Sequence, residues 1–164
     1  MAGGSEIGVW CLLTTATITD LAKGKIYNAL TFPFLLGGLV YQLGDGGFSA
    51  LGAAALAVLV AFVIFFPIYL FRALAAADVK LLMAYGAWTD VPSVVRLALF
   101  AVLIGALVGA FIMLRRSGTR ASLSSLHAHL KSAADRVSHR MPFAPAFLCA
   151  FFLLKIAERY RWNI

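Results

Sequence analysis

Charged residues are scarce in this 164-residue sequence: Asp, Glu, Lys and Arg make up 13% of it, against about 25% in ordinary soluble domains. Hydrophobic residues make up 62%, against roughly 45–50%, and the mean hydropathy is +0.91. A chain of this length cannot enclose that much apolar surface in a water-facing fold. The composition excludes an ordinary soluble domain and predicts a single membrane domain over residues 1–164.

Residues that commonly bind metals are also few. Cys11 and Cys149 both lie in apolar stretches, where they are typical of small hydrophobic residues rather than of a disulfide or a metal pair. The histidines, His127, His129 and His139, fall in one segment, but residues two apart, such as His127 and His129, point to different sides of a helix. We expect no metal site and no cofactor.

The basic residues outnumber the acidic ones, 14 to 7, but they are not gathered as on a nucleic-acid-binding surface. Most fall in segments between apolar runs, at 21–26, 71–80 and 115–140. Cytoplasmic loops of membrane proteins are enriched in Lys and Arg. The distribution predicts that the N-terminus lies outside and that these three segments are cytoplasmic, although the basic residues near the C-terminal end do not fit. We expect no nucleic-acid partner.

Apolar runs of the length that crosses a bilayer, roughly 20 residues, occur at Ala50–Leu70 and Val94–Leu114. Shorter runs can also cross where their polar ends face other helices or a water-filled cavity. The four shorter runs are Ile7–Ile18, Tyr27–Leu43, Val79–Trp88 and Phe143–Ala157. The sequence predicts an all-α, polytopic membrane protein of about six transmembrane helices, with turns at 44–47 and 89–93.

A further helix is predicted within the basic segment 115–140. Between Ser122 and Met141, apolar residues recur every three or four positions and basic residues lie off that stripe, which is typical of an amphipathic helix. Its basic flank suits anionic membrane lipid. Packing on the protein's own cytoplasmic face produces the same pattern, so both interpretations stay open.

Two acidic residues lie at helix ends that this topology places on the cytoplasmic side. Asp20 ends the first apolar run and Asp78 opens the fourth. An ionisable group near the hydrocarbon indicates a functional site, but Asp before a helix is also a common N-cap. From position alone, both a carboxylate pair and an ordinary helix cap account for Asp78.

Three segments resemble the prepilin peptidase family, the bacterial branch of the GxGD-type intramembrane aspartyl proteases. Residues 20–31, DLAKGKIYNALT, are similar to that family's Asp followed by basic-Ile-x-Asn-x-Leu-Thr. Residues 77–82, ADVKLL, with the following Gly86-Ala87-Trp88, are similar to its Gly-Asp-Val-Lys-Leu signature. Residues 141–145, MPFAP, resemble the Ile-Pro-Phe-Gly-Pro segment before its last helix.

The resemblance implies an aspartic-type endopeptidase of the bacterial inner membrane, with Asp20 and Asp78 as catalytic residues. The implied substrate is a prepilin or pseudopilin, whose basic leader is cut at the cytoplasmic face. Neighbouring carboxylates cannot both ionise cheaply, so such a pair shares one proton. Because the chain resembles the short members, which lack the cysteine-bearing cytoplasmic domain, we expect no N-methyltransferase activity.

Five further positions are candidates for lining the cleft or contacting the substrate. Asn28 and Thr31 lie three apart on one helix face, where hydrogen bonding between helices is an equal interpretation. Lys25 and Lys80 lie near the two acids, and anchoring the topology is their first interpretation. Ala77 stands where the family has glycine.

The chain departs from the family pattern at residues 75–77, which are alanines in place of Gly-x-Gly. Glycine permits positive φ and close backbone approach. The alanines therefore indicate either a loop with ordinary dihedrals or a slow, inactive or altered protein. The alternatives are a catalytically inactive homologue and a proton or cation carrier that uses the same acids. Gly105 and Gly109 form a GxxxG pair, which raises a homodimer as a hypothesis.

Overall fold

The computed structural model describes residues 3–70, 74–116 and 144–161, and nearly all of these are helical. The helices are α1 (Gly3–Lys23), α2 (Asn28–Leu70), α3 (Ala76–Gly86), α4 (Val91–Arg116) and α5 (Ala144–Arg161). These residues contain no strand, which confirms the all-α prediction. The predicted amphipathic helix lies outside the described residues.

The chain reverses direction within α2, at Gly47, where φ is 67° and ψ is −155°. Gly38 and Ala57, on either side of this break, contact the adjacent residues Ala87 and Gly86, respectively. A straight helix would separate positions 38 and 57 by roughly 28 Å, so the halves 28–46 and 48–70 must lie side by side. The turn predicted at 44–47 is confirmed. It is confined to Gly47, since Gly44 and Gly46 adopt helical backbone geometry.

Two helices in the described part of the chain are long and apolar enough to cross a membrane, Asn28–Leu70 and Val91–Val108. Both expose large apolar side chains, including Leu36 and Val40 on α2 and Leu103 on α4. Contiguous apolar surface of this kind suits contact with lipid rather than water. Length and composition therefore support membrane crossing for α2 and α4.

Helix α3 is short and enclosed: seven of its 11 residues are buried, and it contacts α1, α2 and α4. Small residues allow α2 to approach it closely. A Cβ added to Gly86 would lie 3.1 Å from the backbone of Ala57, and one added to Gly38 would lie 2.9 Å from the carbonyl of Ala87. Helix α3 therefore fits between the two halves of α2.

Helices α1 and α5 pack in opposite directions. Near the start of α1, Glu6 forms an ion pair with Lys155 of α5, with Oε1 and Nζ 2.6 Å apart. Near the end of α1, Asp20 Oδ2 accepts a hydrogen bond from the backbone N–H of Ala144, the first residue of α5, at 3.2 Å. At 1.5 Å per residue these two contacts are roughly 20 Å apart. Asp20 and the start of α5 therefore share one end of the bundle.

Trp88 fixes the end of α3 that is remote from Asp78. Its Nε1 donates a hydrogen bond to the Phe34 carbonyl at 2.8 Å, and its ring stacks on Tyr41 with centroids 5.5 Å apart. A Cβ on Gly8 of α1 would collide with the same ring. Trp88 therefore joins α1 and α2 to the far end of α3, which leaves the start of α3 at the Asp20 end of the bundle.

Candidate active site

Asp20 lies in the last turn of α1 and is 9% exposed. Its backbone carbonyl accepts the N–H of Gly24 at 2.7 Å, and Gly24 has φ 59°, the left-handed conformation that commonly ends helices. The C-terminal end of a helix carries partial negative charge, which disfavours a carboxylate there. The hydrogen bond from Ala144 offsets this, because it comes from the partially positive start of α5.

Asp78 is the third residue of α3 and is 3% exposed. Its Oδ2 accepts the N–H of Ala75 at 3.1 Å, and its own N–H donates to the Ala75 carbonyl at 3.0 Å. Asp78 therefore caps α3 from inside the first turn, as the third residue of a capping box does, rather than from the N-cap position. The sequence interpretation of Asp78 as the N-cap residue is therefore wrong, because the N-cap is Ala75 and α3 begins two residues before Asp78.

The structure brings the two acids together from different helices. Helix α1 contacts α3, and the last turn of α1, which carries Asp20, lies at the same end of the bundle as the first turn of α3, which carries Asp78. Both side chains are buried. Two neighbouring buried carboxylates cannot both ionise without a cost, and a pair of acid–base catalysts uses this property.

Three of the cleft candidates also lie together. Lys80 Nζ donates a hydrogen bond to Asn28 Oδ1 at 2.9 Å, which joins the start of α2 to α3 two residues after Asp78. Thr31 is buried, and its Oγ1 donates to the Asn28 carbonyl at 3.5 Å. The prediction of hydrogen bonding between helices is therefore confirmed for Asn28, with Lys80 as the donor.

The other two candidates differ in their exposure. Lys25 is exposed in the link between α1 and α2, and Ala77 is half-buried in the first turn of α3, beside Asp78.

The alanines at 75–77 adopt ordinary backbone geometry. Ala75 is extended, with φ −79° and ψ 150°, and the next two alanines open α3. In the described residues the glycines with positive φ are Gly24 and Gly47. Of the two interpretations drawn from the sequence, ordinary dihedrals describe this segment.

No group of three or more His, Cys, Asp or Glu residues that could hold a metal ion occurs within the described ranges. The three histidines fall outside those ranges. The expectation of no metal and no cofactor therefore stays a prediction.

Sequence reasoning missed the contact between Ala144 and Asp20. The sequence comparison covered Ala144 only as part of the segment 141–145, where it stands in the position of the glycine of Ile-Pro-Phe-Gly-Pro. A local signal was present, because Pro145 is typical of the first turn of a helix, where backbone N–H groups lack helical acceptors. Nothing in the sequence identified Asp20 as the acceptor, since the two residues are 124 positions apart.

Comparison with known proteins identifies the family. The sequence model of the type IV leader peptidase family matches residues 7–114, a range that includes both Asp20 and Asp78. The chain belongs to the type IV leader peptidase family. This membership confirms the resemblance seen in the first two segments, whereas residues 141–145 lie beyond the matched range. Together with the apolar helices, it indicates a membrane protein.

Two relatives share the name prepilin leader peptidase/N-methyltransferase. The protein from Aeromonas hydrophila is 33% identical over 113 residues, which cover 65% of this chain and 39% of that protein. The protein from Aeromonas salmonicida (strain A449) is 32% identical over 113 residues, which cover 65% of this chain and 38% of that protein. The matched region is thus well under half the length of either relative. No solved structure gives a significant match.

Proposed function

We propose that this chain is an aspartic endopeptidase that removes the basic leader from prepilins or pilin-like precursors, with Asp20 and Asp78 as its catalytic pair. The observation that carries the proposal is that two buried carboxylates, carried by helices that contact each other, lie at the same end of the bundle. Membership of the type IV leader peptidase family supports the cleavage of a leader peptide. The names of the Aeromonas relatives supply the substrate class.

In the proposed mechanism the two acids share one proton. The ionised acid takes a proton from water as the water oxygen attacks the scissile carbonyl carbon, and the protonated acid donates a hydrogen bond to the carbonyl oxygen. When the C–N bond breaks, the proton taken from water passes to the leaving nitrogen. In the described residues each acid uses Oδ2 to hold a backbone N–H, and we assign its Oδ1 to water and substrate.

We further propose that Asn28, Thr31 and Lys80 form one wall of the cleft. The Lys80–Asn28 hydrogen bond holds the start of α2 beside the first turn of α3, where Asp78 lies. An extended substrate that reaches the acids would pass this wall and Ala77. Lys25, in the exposed link between α1 and α2, would lie at the mouth of the cleft.

We place the acid pair at the cytoplasmic edge of the bacterial inner membrane, in a protein that crosses about six times. Helices α1 and α5 have 21 and 18 residues, enough to cover roughly 30 Å. Helix α3 covers only about 16 Å, but its neighbours shield it from lipid. Lys23, Lys25 and Lys80 lie toward the Asp20 end of the bundle, and basic residues favour the cytoplasmic side.

Cleavage of a purified prepilin in detergent tests the proposal. We expect Asp20→Asn and Asp78→Asn each to abolish the shortened product. Asparagine keeps a side-chain oxygen that can accept the N–H of Ala144 or Ala75, so the helix ends stay capped while the acid–base chemistry is lost. Asp45→Asn is the matched control, because it removes one exposed carboxylate of α2 and should cleave at the parental rate.

The alternatives give different results in the same preparation. A carrier would be supported if the parental protein moved protons into liposomes without cleaving prepilin, and if both Asp-to-Asn variants abolished this proton flux. Neither flux nor cleavage by the parental protein would support a catalytically inactive homologue. A single Asp-to-Asn variant that cleaves at the parental rate would contradict the paired mechanism.

A further inference from the structure

We infer that the start of α5 positions Asp20 for catalysis, through the hydrogen bond from the backbone N–H of Ala144 to Oδ2 of Asp20. The inference rests on the proposed function of the acid pair. It assigns Ala144 a positioning role, because this residue acts through Asp20 rather than by touching the substrate. Four observations support it.

Asp20 needs an external partner because of where it lies in its own helix. It occupies the last turn of α1, three residues before the final helical residue, Lys23. The chain leaves the helix at Gly24, which has positive φ. A carboxylate at this end is repelled by the partial negative charge of the last carbonyl groups. The helix that carries Asp20 therefore offers its carboxylate no favourable partner, whereas the start of α5 offers a backbone N–H.

Ala144 also needs a partner. The first N–H groups of a helix have no acceptor within that helix, and Ala144 has 0% of its surface exposed, so water does not satisfy its N–H. A buried N–H without an acceptor is costly. The next residue, Pro145, has no N–H to offer in its place. The Asp20 carboxylate is the acceptor that the structure provides, at 3.2 Å.

Contacts further along α5 hold its start in register with α1. Lys155 pairs with Glu6 at 2.6 Å, and the rings of Trp10 and Phe151 meet edge to face, with centroids 5.0 Å apart. These contacts keep α5 from sliding along α1. The Ala144 donor is therefore fixed relative to Asp20.

The two acids are held in different ways. Asp78 takes its N–H donor from Ala75, three residues away on the same helix, whereas Asp20 takes its donor from a different helix. A shift of α5 would therefore release Asp20 while leaving the Asp78 contact intact. The geometry of the pair depends on the packing of α5.

The test removes this one N–H and leaves every side chain in place. Replacing Ala144 by L-lactic acid changes the amide to an ester and keeps the methyl group. We expect kcat for prepilin cleavage to fall about 10- to 100-fold, the effect of losing one hydrogen bond to a charged group, with KM unchanged. Lactic acid in place of Ala146, an ester in the same turn that leaves the Ala144 N–H intact, should retain the parental kcat.

The unfolding midpoint of each variant separates positioning from stability. If the ester at 144 lowers the midpoint but the folded protein keeps the parental kcat, Ala144 is merely structural and the inference is overturned. An equal loss of kcat from the ester at 146 would also overturn it. Failure of the proposed function is distinguishable, because the parental protein itself would then not cleave prepilin.

Discussion

Gly37 and Gly38 are adjacent residues of α2 that provide a matched test of how closely α2 and α3 pack. A Cβ on Gly38 would lie 2.8 Å from Cδ1 of Trp88 and 2.9 Å from the carbonyl carbon and oxygen of Ala87, whereas a Cβ on Gly37 would have its nearest contact at 3.6 Å. Backbone atoms cannot rotate away from a new methyl group. Gly38→Ala must therefore push α3 away from α2, while Gly37→Ala fits without movement.

The expected difference follows from two opposing effects. Alanine is more favourable than glycine inside a helix by about 0.8–1 kcal/mol, and this gain is common to both variants. Overpacking costs about 1–3 kcal/mol and applies to Gly38→Ala alone. We therefore expect Gly37→Ala to be at least as stable as the parent, and Gly38→Ala to be about 1–3 kcal/mol less stable than Gly37→Ala.

Unfolding of the two variants in detergent, by heat or by titration with a denaturing detergent, measures this difference. Because α3 carries Asp78, Gly38→Ala should also cleave prepilin more slowly than Gly37→Ala. Equal unfolding midpoints for the two variants would refute the close approach of α2 to the end of α3.

Two further predictions concern the charged groups of the bundle. Asp78→Ala should lower the free energy of unfolding by about 1 kcal/mol through loss of the helix cap, whereas Asp78→Asn should unfold near the parental midpoint. Equal unfolding midpoints for Asp78→Ala and Asp78→Asn would show that the cap contributes nothing. Glu6→Gln should destabilise the protein by up to about 1 kcal/mol, and by more than Glu158→Gln does. Glu6 makes the shorter contact with Lys155, and its side chain is 36% exposed, whereas that of Glu158 is 50% exposed. The reverse order of the two variants in thermal unfolding would contradict this.

The sequence was sufficient to predict the helices but not how far each helix is buried within the protein. Run length and hydropathy located each described helix within a few residues, and the glycines at 44–47 marked the reversal within α2. The burial of α3 could not be predicted, because its 11 residues are on average less apolar than those of α2 and α4, both of which expose large apolar side chains. Its enclosure depends on Gly38, Ala57 and Gly86, whose small size matters only once α2 and α3 are packed together.

The candidate site was predictable to a similar extent. Motif resemblance and helix-end positions identified Asp20 and Asp78, and the spacing of Asn28 and Thr31 indicated a shared face. The local sequence pattern could not show that Lys80 donates a hydrogen bond to Asn28, or that Ala144 donates one to Asp20. Each of these contacts joins segments that are distant in sequence. Such contacts depend on the packing of whole helices, which residue spacing does not encode.

The cleavage rates of Asp20→Asn, Asp78→Asn and the double variant test most directly whether the two acids work as one catalytic unit. Residues that act as a unit have strongly non-additive effects, and general acid–base catalysis contributes about 10²- to 10⁴-fold. We predict that each single variant loses at least about 100-fold in kcat and that the double variant is no slower than the slower single one. Losses that multiply in the double variant, or one single variant that cleaves at the parental rate, would contradict the pairing.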